Sequence, residues 1–267
     1  MPDPYSQITE ADPEILEIII DALELRAADP QQVAMREAYF SWIGIEPKAR
    51  ILEGGCGTGA VARHLAKINS SCEVVGLDLS PRFIQKAKEL SDGFSNLRFE
   101  EGDALSLPFD NASFDVVVFH TCLCHVPGAE MALAEAYRVL RPGGKLAVFD
   151  GDYASTTFAI GDHDPLEQCA NAAISAFVHD RWFVRKLPRL VRAAGFAAER
   201  FDSHGYLQSA SPDYLLSLLG RGADALVGWN QIDASMASAL KNEARRRVEA
   251  GEFFGFIGFA SLIASRA

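Results

Sequence analysis

From Ala49 onward the chain alternates short apolar runs with longer amphipathic stretches, and few architectures accommodate that alternation. The runs fall at Arg50–Glu53, Glu73–Asp78, Leu97–Glu100, Phe114–Phe119 and Lys145–Phe149. Between them, Val61/Leu65/Ile68, Phe83/Ala87/Leu90 and Leu133/Tyr137/Leu140 recur at helical spacing. Strands apolar at consecutive positions are buried on both faces, and helical crossovers supply the cover. The pattern predicts a parallel α/β sheet. A hydrophobic content of 49% in 267 residues, with 17 Phe, is enough for the core such a sheet needs.

On either side of this block the sequence reads differently. Asp12-Pro13-Glu14 and Asp29-Pro30 each mark a helix start, and the second helix runs to Gly44. After Phe149 residues 150–182 lose regularity; a helix around Leu187–Ala194, ended by Gly195, and a sixth strand near Ala197–Asp202 follow. Ser211-Pro212 opens one helix, Ile232, Met236, Leu240 and Val248 stripe another, and Phe253–Ile263 reads as the last strand. Some fifty residues between the last two strands exceed what a hairpin needs, so they read as an inserted cap. The expected organisation is a helical cover over 1–46 and a domain over 47–267, with cap insertions at about 152–183 and 210–250.

Chemistry enters where the first strand ends. Ile51-Leu52-Glu53-Gly54-Gly55-Cys56-Gly57-Thr58-Gly59 puts glycines where the backbone must turn and approach a ligand, ahead of a helix N-terminus. Asp78, 19 residues past Gly59 at the end of the second strand, is placed to accept from two ribose hydroxyls. Gly55-x-Gly57-x-x-Ala60 also satisfies a loose dinucleotide fingerprint. Glu53, however, would meet a pyrophosphate with the wrong charge and would tolerate an ammonium. Asp103, after the third strand, is placed for an exocyclic adenine amine.

In this order, Glu53-Gly-Gly-Cys-Gly-Thr-Gly59, Gly76-Leu-Asp78-Leu-Ser80, Glu101-Gly-Asp103-Ala104, Pro108-Phe109-(x)4-Phe114-Asp115 and Arg138-Val-Leu140-Arg-Pro-Gly-Gly144 resemble the class I S-adenosylmethionine-dependent methyltransferases. Within them the chain is most similar to the small-molecule branch called type 11, which includes the ubiquinone and menaquinone C-methyltransferases. The resemblance is dense over 49–150 and reaches 151–267 only in outline. It implies a doubly wound seven-strand α/β sheet of order 3-2-1-4-5-7-6 with the last strand antiparallel. It also implies methyl transfer from S-adenosyl-L-methionine to an O, N or C atom of a small molecule. By the same resemblance Gly55, Cys56, Gly57 and Gly59 wrap the methionine moiety, and Glu53 supports its amino group. Asp78 holds the ribose with Leu79 against the adenine, Asp103 and Ala104 meet the adenine edge, and His120 and Thr121 lie beside the cofactor. Cys56 sits at a position of variable chemistry in the family and reads as a small backbone donor.

A general base is needed only where the acceptor must lose a proton. His120, His125 and His163 lie near the carboxyl edge; His125 is the first choice and Asp152 the second. His163, between Asp162 and Asp164, is expected to hold its proton more tightly than a free imidazole and reads with Tyr153 as a substrate contact. Trp182 and Phe183 read first as core aromatics, and Trp182 is also carried as a substrate contact. Acids around 150–164 are compatible with an amine acceptor. His120-Thr-Cys122-Leu-Cys124-His125 lacks a second pair at zinc spacing, so no metal is expected.

The net charge of −11 argues against nucleic acid or an anionic membrane as partner. Phe253–Ile263 is too short to span a bilayer, no basic and apolar leader opens the sequence, and five Cys without scaffold spacing suit a reducing cytoplasm. Two other classes stay open: an NAD(P)-binding oxidoreductase, and a non-catalytic cofactor-binding protein. Oligomeric state is not legible.

Overall fold

Two Asp-Pro junctions set the entry to the fold. The computed structural model describes Tyr5, Ile8, Thr9 and residues 12–267. Asp12 accepts from the Glu14 amide and caps α1 (Pro13–Ala28); Asp29 accepts from the amides of Gln31 and Gln32 and caps α2 (Pro30–Ile43). Helix α2 ends at Gly44, in the left-handed conformation.

The sheet follows the alternation read from sequence. Strands β1 (Arg50–Gly54), β2 (Glu73–Asp78), β3 (Leu97–Glu101), β4 (Phe114–His120) and β5 (Leu140–Thr157) pair in parallel, joined through α3 (Ala60–Ile68), α4 (Pro81–Glu89) and α5 (Ala129–Val139). After β5 come α6 (Glu167–Phe177), α7 (Phe183–Ala193), β6 (Phe196–Gln208), α8 (Asp213–Gly228), α9 (Ala234–Ala250) and β7 (Gly255–Arg266). The order across the sheet is β3-β2-β1-β4-β5-β7-β6, with β7 antiparallel to both neighbours. Ile51, Leu52, Val117, Val118, Ala147 and Val148 are wholly buried, as strands covered on both faces require.

Two differences from the sequence pattern have physical causes. Strand β5 continues through Asp150-Gly-Asp152-Tyr153, because β7 offers it a partner: Asp150 lies opposite Ala260, Gly151 opposite Phe259 and Asp152 opposite Gly258. Helix α6 lies inside the stretch that reads as irregular. Beside Cys169 and Ile174 its buried residues are Ala170, Ala172, Ala173 and Ala176, too small to show as a stripe, and it packs against α8. The approach is close enough that a Cβ on Gly222 of α8 would stand 2.0 Å from the Cys169 carbonyl oxygen. A buried ion pair then fastens α9: Arg247 donates twice to Asp164 at 2.6 and 3.0 Å. Their side chains are only 7% and 3% exposed.

Candidate active site

Strand β1 lies where the sheet order reverses, between β2 and β4, and its carboxyl end is where open α/β sheets bind ligands. A cavity of about 370 Å³ opens there. The loop after β1 forms its floor. Gly55, Gly57 and Gly59 have φ of 66°, 53° and 77°, the left-handed region that disfavours any residue with a Cβ. At Gly55 a Cβ would also lie 2.2 Å from Cys122 Sγ, so the loop is wedged against the segment leaving β4. The Gly57 amide donates to Asp78 Oδ2 at 2.8 Å and the Ser80 amide to Oδ1 at 2.9 Å. Those bonds fix the Asp78 carboxylate at the rim; burial raises its pKa, and the backbone amides of Ser80, Gly57 and Leu79 work against that rise.

Glu53 is 1% exposed. Burial pushes its carboxyl up to about 8, although an Ala62 amide bond and the charge of Arg36 oppose the rise. Glu53 Oε2 has no hydrogen-bond partner among the described residues. The same holds for both amide atoms of Gln32, which is 2% exposed. Glu53 and Gln32 line one cavity together with Arg36, whose guanidinium is tied to His64 Nδ1 at 2.9 Å and to the Ala27 carbonyl. Unsatisfied buried polar atoms cost stability, and here they stand where an amino acid's two charges would satisfy them.

The remaining candidates separate into those that meet at this cavity and those that do not. Gly55, Cys56, Gly57, Leu79, Asp103, Ala104, His120, Thr121 and His125 line it with Glu53 and Asp78. Gly59 does not; it stands at the start of α3, where its amide closes the loop onto the Cys56 carbonyl at 2.8 Å. Leu79 is 45% exposed, an apolar surface at the rim. Burial holds the Cys56 thiol well above its usual pKa, which disfavours a thiolate nucleophile. His120 shares a 2.9 Å hydrogen bond with the Tyr39 hydroxyl and stacks on Phe149 at 4.6 Å, and burial lowers its pKa well below the usual value. Thr121 carries a φ of 49°, strain held by its amide bond to the Phe149 carbonyl at 2.7 Å.

His125 ends a short 3-10 turn, Leu123–His125, and its ring lies 4.4 Å from that of Tyr5. The turn is anchored by Asp150, fully buried, which accepts from the Cys124 amide at 3.1 Å. Asp152 does not line this cavity: Arg185 holds it through two bonds of 2.9 and 3.0 Å. His163 sits exposed on a left-handed loop residue, and its neighbour Asp164 is turned to Arg247. Trp182 is 46% exposed, with Arg185 over its ring at 4.5 Å. Tyr153 is buried and lines a smaller chamber that shares Tyr5, Arg26 and His125 with the main cavity. Among the described residues no group of three or more His, Cys, Asp or Glu is arranged to hold a metal ion.

Sequence reasoning missed Arg26, Gln32 and Arg36. The available signal was in α2, where Gln32, Arg36 and Tyr39 share the buried face, so polar groups stand where an ordinary helix is apolar.

Comparison with known proteins follows the same lines. A family model described as a methyltransferase domain matches residues 52–148. A demethylmenaquinone methyltransferase of Tropheryma whipplei is 37% identical over 120 residues, 44% of this chain and 48% of that one. A sterol 24-C-methyltransferase of Kluyveromyces lactis is 36% identical over 122 residues, 44% of this chain and 33% of that one. The chain thus spans less than half the length of these relatives. Among solved structures, the [4+2]-cyclase SpnF superposes with a TM-score of 0.62 at 19% identity, covering 100% of this chain and 98% of that one. That likeness concerns the fold alone. From β1 into β5, the segment that carries the glycine loop, Asp78, Asp103 and His120, the chain matches a methyltransferase domain, and its sheet has the order β3-β2-β1-β4-β5-β7-β6.

Proposed function

We propose that the protein transfers a methyl group from S-adenosyl-L-methionine to a small-molecule acceptor. The observation that carries this reading is the set of unsatisfied buried polar atoms, Glu53 Oε2 and the Gln32 amide, in one cavity with Asp78. An ammonium and a carboxylate, the two charges of a methionine end, complement an orphaned acid and an orphaned amide beside Arg36. Asp78, whose oxygens each accept one backbone amide, retains lone pairs for two ribose hydroxyls. Asp103 and Ala104 would meet an adenine edge, with Leu79 covering its face. A dinucleotide fits less well, because Glu53, Asp78 and Asp103 are three acids around a place where a pyrophosphate would lie.

When bound, the cofactor supplies an electrophilic methyl on a sulfonium. The chain's own task is to hold the acceptor in line and keep water out, which supplies most of the acceleration. His120, kept neutral and locked by Tyr39 and Phe149, is a wall. His125, at the border of the two cavities, takes a proton where the acceptor must lose one, with Asp150 fixing the turn that carries it. We read the described part of residues 1–46, with α1 and α2, as a helical cover and 47–267 as the catalytic domain with cap insertions. We read the protein as cytoplasmic, supported by five free thiols and the acidic net charge. No helix among the described residues is long and apolar enough to cross a membrane, and the similar demethylmenaquinone and sterol methyltransferases support a small organic acceptor.

The test is transfer of label. The chain, methyl-labelled S-adenosylmethionine and a panel of small aromatic and lipid acceptors should yield S-adenosylhomocysteine in step with a labelled product. His125→Ala should lower turnover about 10²–10⁴-fold for a proton-losing acceptor while cofactor affinity holds. Production of S-adenosylhomocysteine without any labelled product would count against the reading, and normal turnover in His125→Ala would leave that residue as framework.

A further inference from the structure

The smaller chamber carries charge opposite to that of the molecule. Among the described residues its charged side chains are Arg26 from α1 and Arg221 from α8, and no Asp or Glu lines it. The chain has 36 acidic against 25 basic residues, so carboxylates are plentiful enough to match these two arginines. Arg63, Arg185 and Arg247 each meet a carboxylate. Among the described residues Arg26 and Arg221 meet none within 4.0 Å. Arg26 instead donates to Thr121 Oγ1 at 2.6 Å, beside the larger cavity. Arg221 lies over the Phe177 ring at 5.2 Å, and its Nε is buried without a partner. Tyr153 and Tyr214, 4% and 7% exposed, complete the walls with apolar side chains. A buried guanidinium N–H without an acceptor, as at Arg221 Nε, is costly, and the planar forks of two arginines match carboxylate or phosphate oxygens.

Resting on the assignment of the larger cavity to the cofactor, we propose that this chamber is the acceptor subsite. It selects an acceptor with an aromatic or apolar body and an anionic oxygen group held by Arg26 and Arg221. Three of the four acids that made an amine acceptor plausible from sequence are engaged elsewhere, Asp152 with Arg185, Asp164 with Arg247 and Asp150 with the amides of Cys124 and Gly151, and Asp162 is exposed and lines neither cavity. Two guanidinium groups would repel an ammonium in their place. The chamber encloses only about 30 Å³, so α1 and α8, which pack together, must part to admit the acceptor.

Four ligands sharing one aromatic body separate the possibilities: phenylacetate, phenyl phosphate, phenylacetamide and phenethylamine. They are titrated calorimetrically into the full chain saturated with S-adenosylhomocysteine. An anionic ligand should bind at least about tenfold more tightly than the amide, with the amine weakest. Whichever of carboxylate and phosphate binds better names the source of the charge. Arg221→Met should abolish the preference and leave S-adenosylhomocysteine affinity within about twofold, because Arg221 lines the smaller chamber and not the larger cavity. If that variant does not fold, Arg221→Lys carries the test, and replacing the fork by a point charge should cut the preference at least about threefold. The proposal is overturned if the amide or amine binds as tightly as the acids, if the preference survives either substitution, or if no anion binds at about 10 mM. Failure of S-adenosylhomocysteine to bind the wild type would strike the cofactor assignment separately, and the anion preference would then be read on the unloaded chain.

Discussion

Glu53→Gln tests the electrostatics of the site, and its size follows from the structure. Burial raises the Glu53 carboxyl from 4.5 to about 8. A carboxyl whose folded pKa lies above its unfolded value favours the fold at low pH, and that contribution is lost as pH rises from 4.5 through 8. The displacement corresponds to a ceiling of about 5 kcal/mol. The ligand-free Gln variant, neutral throughout, should therefore match the wild type near pH 4.5 and exceed it in stability at pH 9, by up to that amount, in urea melts. Binding runs the other way. An ammonium favours the ionised carboxylate, so S-adenosylhomocysteine must expel the proton from Glu53. Between about pH 6 and 7.5 its affinity should rise nearly tenfold per pH unit, with close to one proton released in calorimetry across buffers of different ionisation enthalpy. Glu53→Gln should bind more weakly and lose the slope. A flat affinity profile with no proton release would refute the pairing of Glu53 with the ammonium.

Other outcomes follow from neighbouring contacts. Asp78→Asn should weaken cofactor binding by about 1–3 kcal/mol, read by calorimetry, with the far-UV spectrum kept; an unchanged dissociation constant would remove Asp78 from the ribose site. Gly55→Ala places a Cβ at left-handed φ and 2.2 Å from Cys122 Sγ, so it should destabilise by about 2 kcal/mol or more. Pairing it with Cys122→Gly should recover part of that loss in melts; no recovery would mean the thiol is not the obstacle. Arg247→Met strands Asp164 in the core and should cost about 3–5 kcal/mol, a fall of roughly 10 °C in melting temperature. Adding Asp164→Asn should restore part of it, and a variant as stable as the wild type would show the pair to be idle.

The sheet was legible because consecutive apolar residues can be satisfied only between two helical layers, and the capping residues Asp12, Asp29 and Ser80 sit where the helices begin. The cofactor side was legible for a related reason: Glu53, Asp78 and Asp103 each stand within a few residues of a strand end, so local order fixes them in space. The acceptor side was not. Asp150 and Asp152 are two residues apart on one strand, yet one anchors the His125 turn and the other pairs with Arg185. Only the packing of α7 against β5 decides that division. Arg26 and Arg221 come from helices nearly two hundred residues apart in sequence, and no local pattern brings them to one chamber. Helix α6 escaped detection because its buried face is mostly alanine, which contributes little amphipathic signal while permitting the close approach of Gly222.

What fills the larger cavity decides the function, and calorimetric titration of the full chain with S-adenosylmethionine, S-adenosylhomocysteine and NAD measures that directly. Micromolar one-to-one binding of both sulfur ligands is predicted, lost or strongly weakened in Glu53→Gln and Asp78→Asn, with no detectable heat from NAD. Saturable NAD binding together with silence from the two sulfur ligands would contradict it.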